Sequence, residues 1–459
     1  MPDKADLRQR QALPLSAKIL MSQNRIREWY QHFNGDVCIS FSGGKDSTVL
    51  AHLVHDMYPD VPLVFCNTGL EYPEIQAFAK KMGAEFIRPK MSFSEVISTY
   101  GYPIISKENA EAIHYARKIR NVGGVRQKKE REQNLKEEEQ PERSHPFRVG
   151  GGTEKQHTDG QCSCKFRIDV SRQNWMEKGN THRETAHRWG GVQRDTPQES
   201  GHHSETGAVR QSRGSTDWHQ WRRNCIAGVG DFDETKSIFN KVKWLPLCRD
   251  TMFKISHKCC GVMKKSPLGI YQRKHKVVPY LGTLAEESRL REQAWIRHGC
   301  NAYDGNKQTS QPLSFWLEQD ILHYIKQEGL EIASVYGEIV AVDDDGYQYE
   351  PMPGMECNLK CTGCNRTGCV FCGFGVHSEK GETRFQRLAR THPKQYEYCM
   401  NGGQLVDNPD YDPVAPKMDG DWVNWNPKKI WVPSKKGLGM KKVFDDCNQI
   451  YGKDFIRYE

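Results

Sequence analysis

The sequence predicts an α/β fold, a doubly wound and mostly parallel sheet, from three observations. Short, apolar, β-rich runs recur at 37–41, 61–66 and 83–87; the first two lead into glycine-bearing turns; and helical patterns follow those turns. Strands that alternate with helices in this way pair in parallel and are covered on both faces.

The elements can be taken in order. Residues 17–33 place Ile19, Leu20, Ile26, Trp29, Tyr30 and Phe33 at spacings that suit an amphipathic helix. The three strand runs come next. From about Asn121 the character changes: a mixed charge run spans 128–143, and no leucine occurs between Leu135 and Leu245. That stretch is rich in His, Arg, Gly, Ser and Gln, which cannot bury enough apolar surface to order itself, so residues 121–240 are expected to be a disordered insertion. Its Trp175, Trp189, Trp218 and Trp221, set among arginines, leave room for base stacking. A passive segment is the alternative, and Cys162 and Cys164 near His157 are too incomplete a set for a zinc site. Globular patterning returns at 244–247 and continues through helices expected at 284–297 and 314–327. A tail rich in Trp, Asn, Pro and Lys follows from Pro393, expected to be irregular apart from a short helix near 440–451.

Composition narrows the class. A chain of 459 residues with 37% hydrophobic content can build a sizeable core and two or three domains. No run of 18 or more apolar residues exists and Met1 to Arg10 is polar, so a cytoplasmic protein without a membrane partner is expected. The net charge of +8, from 66 basic against 58 acidic residues, permits a nucleic-acid partner without demanding one. Of 16 cysteines, six crowd between Cys357 and Cys399. Clustered thiols in a reducing compartment point to metal or redox chemistry rather than a disulfide framework.

The segment Phe41-Ser-Gly-Gly-Lys-Asp-Ser-Thr-Val-Leu50 carries the most specific signal. Gly43 and Gly44 lie where a strand gives way to a helix and let phosphate oxygens approach backbone amides. Ser42, Ser47 and Thr48 add hydroxyls, Lys45 adds charge, the helix N-terminus favours an anion, and Asp46 could orient Mg2+. The turn after the second run, Asn67-Thr68-Gly69, would lie beside this loop at the carboxyl edge of the sheet.

The hexapeptide at 42–47 is similar to the loop of the PP-loop adenine nucleotide α-hydrolase superfamily, whose members cleave ATP between the α and β phosphates. Within it the chain resembles the phosphoadenosine phosphosulfate reductase family. The resemblance rests on Asn67-Thr68-Gly69, on Cys259-Cys-Gly-Val-Met-Lys-Lys-Ser-Pro-Leu268, on Gly282-Thr-Leu-Ala-Glu-Glu-Ser-Arg-Leu-Arg291 and on Gln311-Pro-Leu-Ser-Phe-Trp-Leu-Glu-Gln-Asp320. It covers 19–121 and 244–375. It implies a nucleotide-binding domain split into 1–120 and 241–345, a cysteine-rich metal segment at 346–392 and an extension at 393–459.

In cluster-bearing members of that family a Cys-Cys pair and a later Cys-x-x-Cys hold iron and sulfur. By resemblance, Cys259, Cys260, Cys369 and Cys372 would hold a 4Fe-4S cluster. Cys357, Cys361 and Cys364 precede the second pair, so a Zn2+ knuckle using Cys361-x-x-Cys364 and Cys369-x-x-Cys372 stays open.

The leading functional expectation is an ATP pyrophosphatase that adenylates an acceptor, DNA or tRNA, for sulfur incorporation. It is similar to the iron-sulfur ATP pyrophosphatases of DNA phosphorothioation or tRNA thiolation, and a sulfur-donor protein such as a cysteine desulfurase would be its partner. Lys45 and Asp46 would act at the phosphates, with Arg289, Arg291 or Lys107 on the α phosphate or the acceptor. The alternative is a thiol-dependent reductase of adenylylated sulfate (PAPS or APS). Family reductases use a Glu-Cys-Gly-x-His-like tail that has no counterpart here, so Cys399, Cys447 or an external thiol would have to serve. A third expectation is a catalytically silent nucleotide-binding subunit.

Overall fold

The structure, a computed structural model, describes residues 3–117, 225–226, 241–304, 308–352, 355, 357–415, 417–419 and 422–459. The insertion expected at 121–240 lies outside the described residues except for Cys225 and Ile226. Both are buried, and the Cys225 carbonyl accepts the Lys241 amide at 2.7 Å.

Helix α1 (Lys4–Gln11) opens on a capping box in which Asp3 and Asp6 each accept the other's backbone N-H. Helix α2 (Leu15–His32) turns Ile26 and Trp29 inward, the face that the apolar spacing indicates. β1 (Val37–Phe41), α3 (Lys45–His55), β2 (Leu63–Cys66), α4 (Pro73–Lys81) and β3 (Glu85–Ile87) then alternate. α5 (Phe93–Tyr100), β4 (Ile104–Ile105) and a helix α6 over 107–117 close the first half.

The second half adds α7 (Leu245–Asp250), a π-helical turn at Gly261–Lys265, α8 (Ser266–His275) and β5 (Val278–Leu281). α9 (Arg289–His298), β6 (Asn301–Ala302), β7 (Thr309–Ser310) and α10 (Glu318–Gln327) follow. Two expected helices are shorter than their patterns. At 284–297 a 3-10 turn stops at Ser288, whose extended backbone lets its hydroxyl cap the Arg291 amide. At 314–327 the helix starts only at Glu318, where the Asp320 carboxylate accepts the Leu317 N-H.

Among the described residues the main sheet has six strands in the order β3-β2-β1-β5-β7-β6. Every pair is parallel except the edge pair β6 and β7. β1 is nearly continuous in burial, as a strand covered on both faces must be. Its Ile39 pairs with Leu63 on one side and Tyr280 on the other. The chain winds outward from β1 through β2 to β3, then returns to build the other side from β5, so the topological switch lies between β1 and β5.

The cysteine-rich part forms no separate core. β8 (Ile339–Val342), β9 (Gln348–Tyr349) and β10 (Asn358–Cys361) make a small antiparallel sheet. β11 (Gly373–Phe374) pairs with β4, and the Val370 amide donates to the Leu70 carbonyl at 2.8 Å. The tail is more regular than its composition suggests. α11 (Arg384–Thr391), α12 (Pro393–Met400) and α13 (Met440–Tyr451) pack together, and strands Gln404–Asp407 and Lys429–Val432 pair antiparallel. No helix among the described residues is long and apolar enough to cross a membrane.

Two buried cations tie distant parts of the chain together. Lys18, 2% exposed, donates to Asp320 at 2.6 Å and joins α2 to α10. Arg117, the last described residue of α6, spends its fork on the carbonyls of Leu247, Cys248 and Phe253 and the Thr251 hydroxyl, all at 2.7 to 2.8 Å. Its guanidinium lies 4.2 Å from the centre of the Trp425 ring. Burial pushes its pKa down to about 10, which still leaves it charged at neutral pH. Truncating it would orphan buried carbonyls at about 1–3 kcal/mol each. Arg117→Ala should therefore lose at least about 3 kcal/mol in urea unfolding. Arg117→Lys should recover little, because an ammonium cannot reproduce the planar fork. Unfolding of Arg117→Ala at the wild-type midpoint would contradict this role.

Candidate nucleotide site

The residues at the β1–β5 switch line one cavity of about 980 Å3. The loop from Ser42 to Gly44 enters it from the end of β1, and Lys45 begins α3. Gly43 has φ +69°, and a Cβ there would meet Ile75 Cγ2 at 2.8 Å. Both the left-handed backbone and the contact with α4 exclude a side chain.

Hydroxyls brace the turn. Ser42 Oγ lies 3.0 Å from Ser47 Oγ and accepts the Gly44 amide at 3.3 Å, while Ser47 and Thr48 donate to the Gly44 carbonyl. The first-turn amides of α3 are those a helix leaves without internal partners, so this end of the cavity suits an anion. Gly282, just after β5, completes the approach: a Cβ there would lie 2.9 Å from the Asp46 carbonyl and 3.0 Å from Ser47 Cα.

Charge is concentrated around the loop. Lys45 is 6% exposed, bonds Glu318 at 3.0 Å and lies 5.6 Å from the centre of the Tyr336 ring. Burial raises the Asp46 pKa, opposed by Lys45, Arg366 and Arg291 and reinforced by Glu318. Arg291 is half-buried and ion-paired with Glu287, which also meets Arg366 at 3.3 Å. Lys264 lies 3.7 Å from Glu71; burial opposes its charge, but Cys369 and Glu71 outweigh burial and hold its pKa above the usual lysine value.

The structure sorts the residues singled out in the sequence. Ser42, Gly44, Lys45, Asp46, Ser47 and Arg291 line the cavity. Gly43 faces α4 and Thr48 turns its hydroxyl to Gly44. Asn67, Thr68 and Gly69 are not among the lining residues: Asn67 Oδ1 accepts the Gly69 amide, and Thr68 donates to Glu71 at 2.7 Å, so their turn shapes the wall behind Glu71. Arg289 is exposed at the start of α9, Lys107 is exposed on α6, and neither lines the cavity. Glu71, Lys264, Glu318, Tyr336 and Arg366 line it without having been singled out. Lys264 lies inside the Cys-Cys motif at a signal that could have been used. Arg366 lies in an irregular stretch with no periodicity to reveal it.

The cysteines form two groups. Burial raises the Cys259 pKa first, and Cys260, Cys369 and Cys372 add to it. Cys372 is pushed up to about 12 by burial and then by Cys369. These four thiols therefore feel one another, and Cys369 also feels Lys264 and Glu71. Cys361 instead feels Lys45, Glu318 and Cys364, and Cys364 accepts from Arg387 at 3.8 Å. Cys357 is held apart, its carbonyl bonded to His323.

Among the described residues no three His, Cys, Asp or Glu side chains gather closely enough for a single metal ion. β10 ends at Cys361, which feels Lys45, and Cys364 beyond it accepts from Arg387, while Cys369 and Cys372 are coupled to the Cys-Cys pair. A four-iron cluster takes one thiolate per iron at separate corners and asks for a wider set. Cys259, Cys260, Cys369 and Cys372 are all thiols, the donor type that such a cluster takes.

A parallel sheet with this loop at its switch point is the arrangement of the PP-loop α/β proteins. The chain belongs to the phosphoadenosine phosphosulfate reductase domain family, whose model matches residues 36–141 and 232–373, more than half its length. It is 29% identical over 108 residues to adenosine 5'-phosphosulfate reductase of Staphylococcus haemolyticus, covering 22% of this chain and 44% of that protein. It is 28% identical over 122 residues to phosphoadenosine 5'-phosphosulfate reductase of Vibrio campbellii, covering 25% and 46%. An uncharacterised protein of Methanocaldococcus jannaschii is 33% identical over 72 residues, covering 16% and 18%. The chain spans less than half the length of these relatives.

Gly282→Ala tests the close approach of the two halves. The added methyl must displace α3 backbone, which costs about 1–3 kcal/mol. Adenine nucleotide affinity measured by calorimetry should fall even though residue 282 offers no side chain to a ligand. Unchanged affinity with unchanged stability would refute this packing argument.

Proposed function

We propose that the chain binds ATP in this cavity and cleaves it between the α and β phosphates, adenylating an oxygen of a nucleic-acid acceptor for sulfur incorporation. The observation that carries the reading is the braced Ser42–Thr48 turn, with the N-terminus of α3 opening into a large cavity at the switch point. In this reading the amides of that turn hold the departing pyrophosphate. Lys45 and Arg291 offset its growing charge, and their present partners Glu318 and Glu287 keep them oriented until ligand enters.

Mg2+ beside Asp46 would neutralise phosphate charge. A 4Fe-4S cluster on Cys259, Cys260, Cys369 and Cys372 would supply redox or electrostatic chemistry next to Lys264. DNA or tRNA would be the acceptor, and a sulfur-donor protein such as a cysteine desulfurase would act on the adenylylated product.

A second reading is favoured by the relatives, which are named as sulfonucleotide reductases. It keeps the same cavity and would use Cys399, Cys447 or an external thiol. Cys399 and Cys447 are both fully buried, and burial raises their pKa values well above that of a free thiol.

Two measurements decide. With ATP, Mg2+ and DNA or tRNA, pyrophosphate should accumulate, and Lys45→Ala should reduce it by about two orders of magnitude; sulfite released from phosphoadenosine phosphosulfate with an added thiol, without pyrophosphate from ATP, would replace adenylation by reduction. In the native protein at about pH 8, iodoacetamide should leave Cys399 and Cys447 unmodified and label them only in urea. Rapid native labelling of either would restore it as a nucleophile.

A further inference from the structure

The stretch between the two cysteine groups, residues 365–368, forms part of the cavity wall. Its backbone is fixed from several directions. The Cys364 amide donates to the Val335 carbonyl at 2.9 Å, and the Val370 amide to Leu70 at 2.8 Å. Thr367 Oγ1 lies 3.0 Å from the Tyr336 hydroxyl, and that hydroxyl is also the atom a Cβ on Gly44 would meet at 3.3 Å. The wall is thus anchored against the turn that opens α3.

The Arg366 side chain is held far less tightly than its backbone. It is 59% exposed, and its ion pair to Glu287 is a single contact at 3.3 Å, long for a charge-assisted bond. An ion pair at that exposure contributes little. Glu287 does not depend on it, since the same carboxylate also pairs with Arg291 and accepts the Leu284 amide at 3.1 Å. Arg366 can leave without stranding a buried charge. Its field already reaches both Asp46 and Arg291 beside the turn.

Resting on the nucleotide reading above, we propose that Arg366 is a phosphate-binding residue, which leaves Glu287 and forks onto the β or γ phosphate when a nucleoside di- or triphosphate enters. A planar guanidinium suits two phosphate oxygens at once, and a phosphate group competes well with a carboxylate that is already shared. The residue therefore contributes selectivity by phosphate number. The adenosine end of the ligand is indifferent to it.

The test is calorimetric binding of ATP, ADP and AMP with Mg2+ to the full chain, comparing wild type, Arg366→Ala, Arg366→Lys and Lys45→Ala. Arg366→Ala should weaken ATP about tenfold or more while AMP stays within about twofold. Arg366→Lys should fall between, keeping the charge and losing the fork. If Arg366→Ala binds ATP like wild type while Lys45→Ala does not, the nucleotide site stands and the role of Arg366 falls. Equal weakening of all three nucleotides would also overturn it, as damage to the wall. If wild type binds none of them, the nucleotide reading itself fails. Should Arg366→Ala not fold, Arg366→Lys decides alone, and wild-type ATP affinity in that variant sinks the proposal.

Discussion

The cavity exists because β1 and β5, drawn from opposite sides of the insertion, lie side by side. Val37 pairs with Val278 and Ser40 with Leu281, and this register brings Gly282 against the first turn of α3. Both flanks of the phosphate end follow from that contact. The loop after β1 supplies small residues and amides, and the segment after β5 supplies Glu287 and Arg291. Away from that strand pair, Arg117 of α6 ties the first half of the chain to the second by gripping the carbonyls of α7 and the loop beyond it.

The cysteine-rich part is best understood as a third contributor to the same site. Its Cys361 ends β10 near Lys45, its second thiol pair is coupled to Cys259 and Cys260, and residues 365–368 form cavity wall. The π-helical turn at Gly261–Lys265 completes the link, since it starts at the Cys-Cys pair and carries Lys264 to Glu71. Wide turns of this kind cluster at functional sites because they re-aim side chains within a helix. Thiols, lysine and acid are therefore electrostatically continuous with the nucleotide end.

The parallel sheet was legible because β1 and β2 are buried apolar runs and each is punctuated by glycine. The loop was legible because strand, hexapeptide and helix agree. β6 and β7 were not, since two residues such as Thr309 and Ser310 have no periodicity to detect. The start of α10 is hidden in the sequence because Leu313, Phe315 and Trp316 are as apolar as a helix face yet lie in the turn before the Asp320 cap. Side-chain direction was the deeper gap. Asn67 and Thr68 look like ligand contacts in sequence, but short local bonds to Gly69 and Glu71 take their polar atoms first. Arg289 and Arg291 are equivalent in one dimension; the helix separates them, exposing one and turning the other to the cavity.

The Arg117 grip has an evolutionary corollary. It fixes the chain just before residue 118, and Lys241 regains the core by bonding the Cys225 carbonyl. The cost of closing a loop rises only logarithmically with its length. A core pinned at Arg117 and again at Cys225 can therefore tolerate segments of very different size between those two residues. The length of that stretch can change while the register of β1 on β5 stays the same.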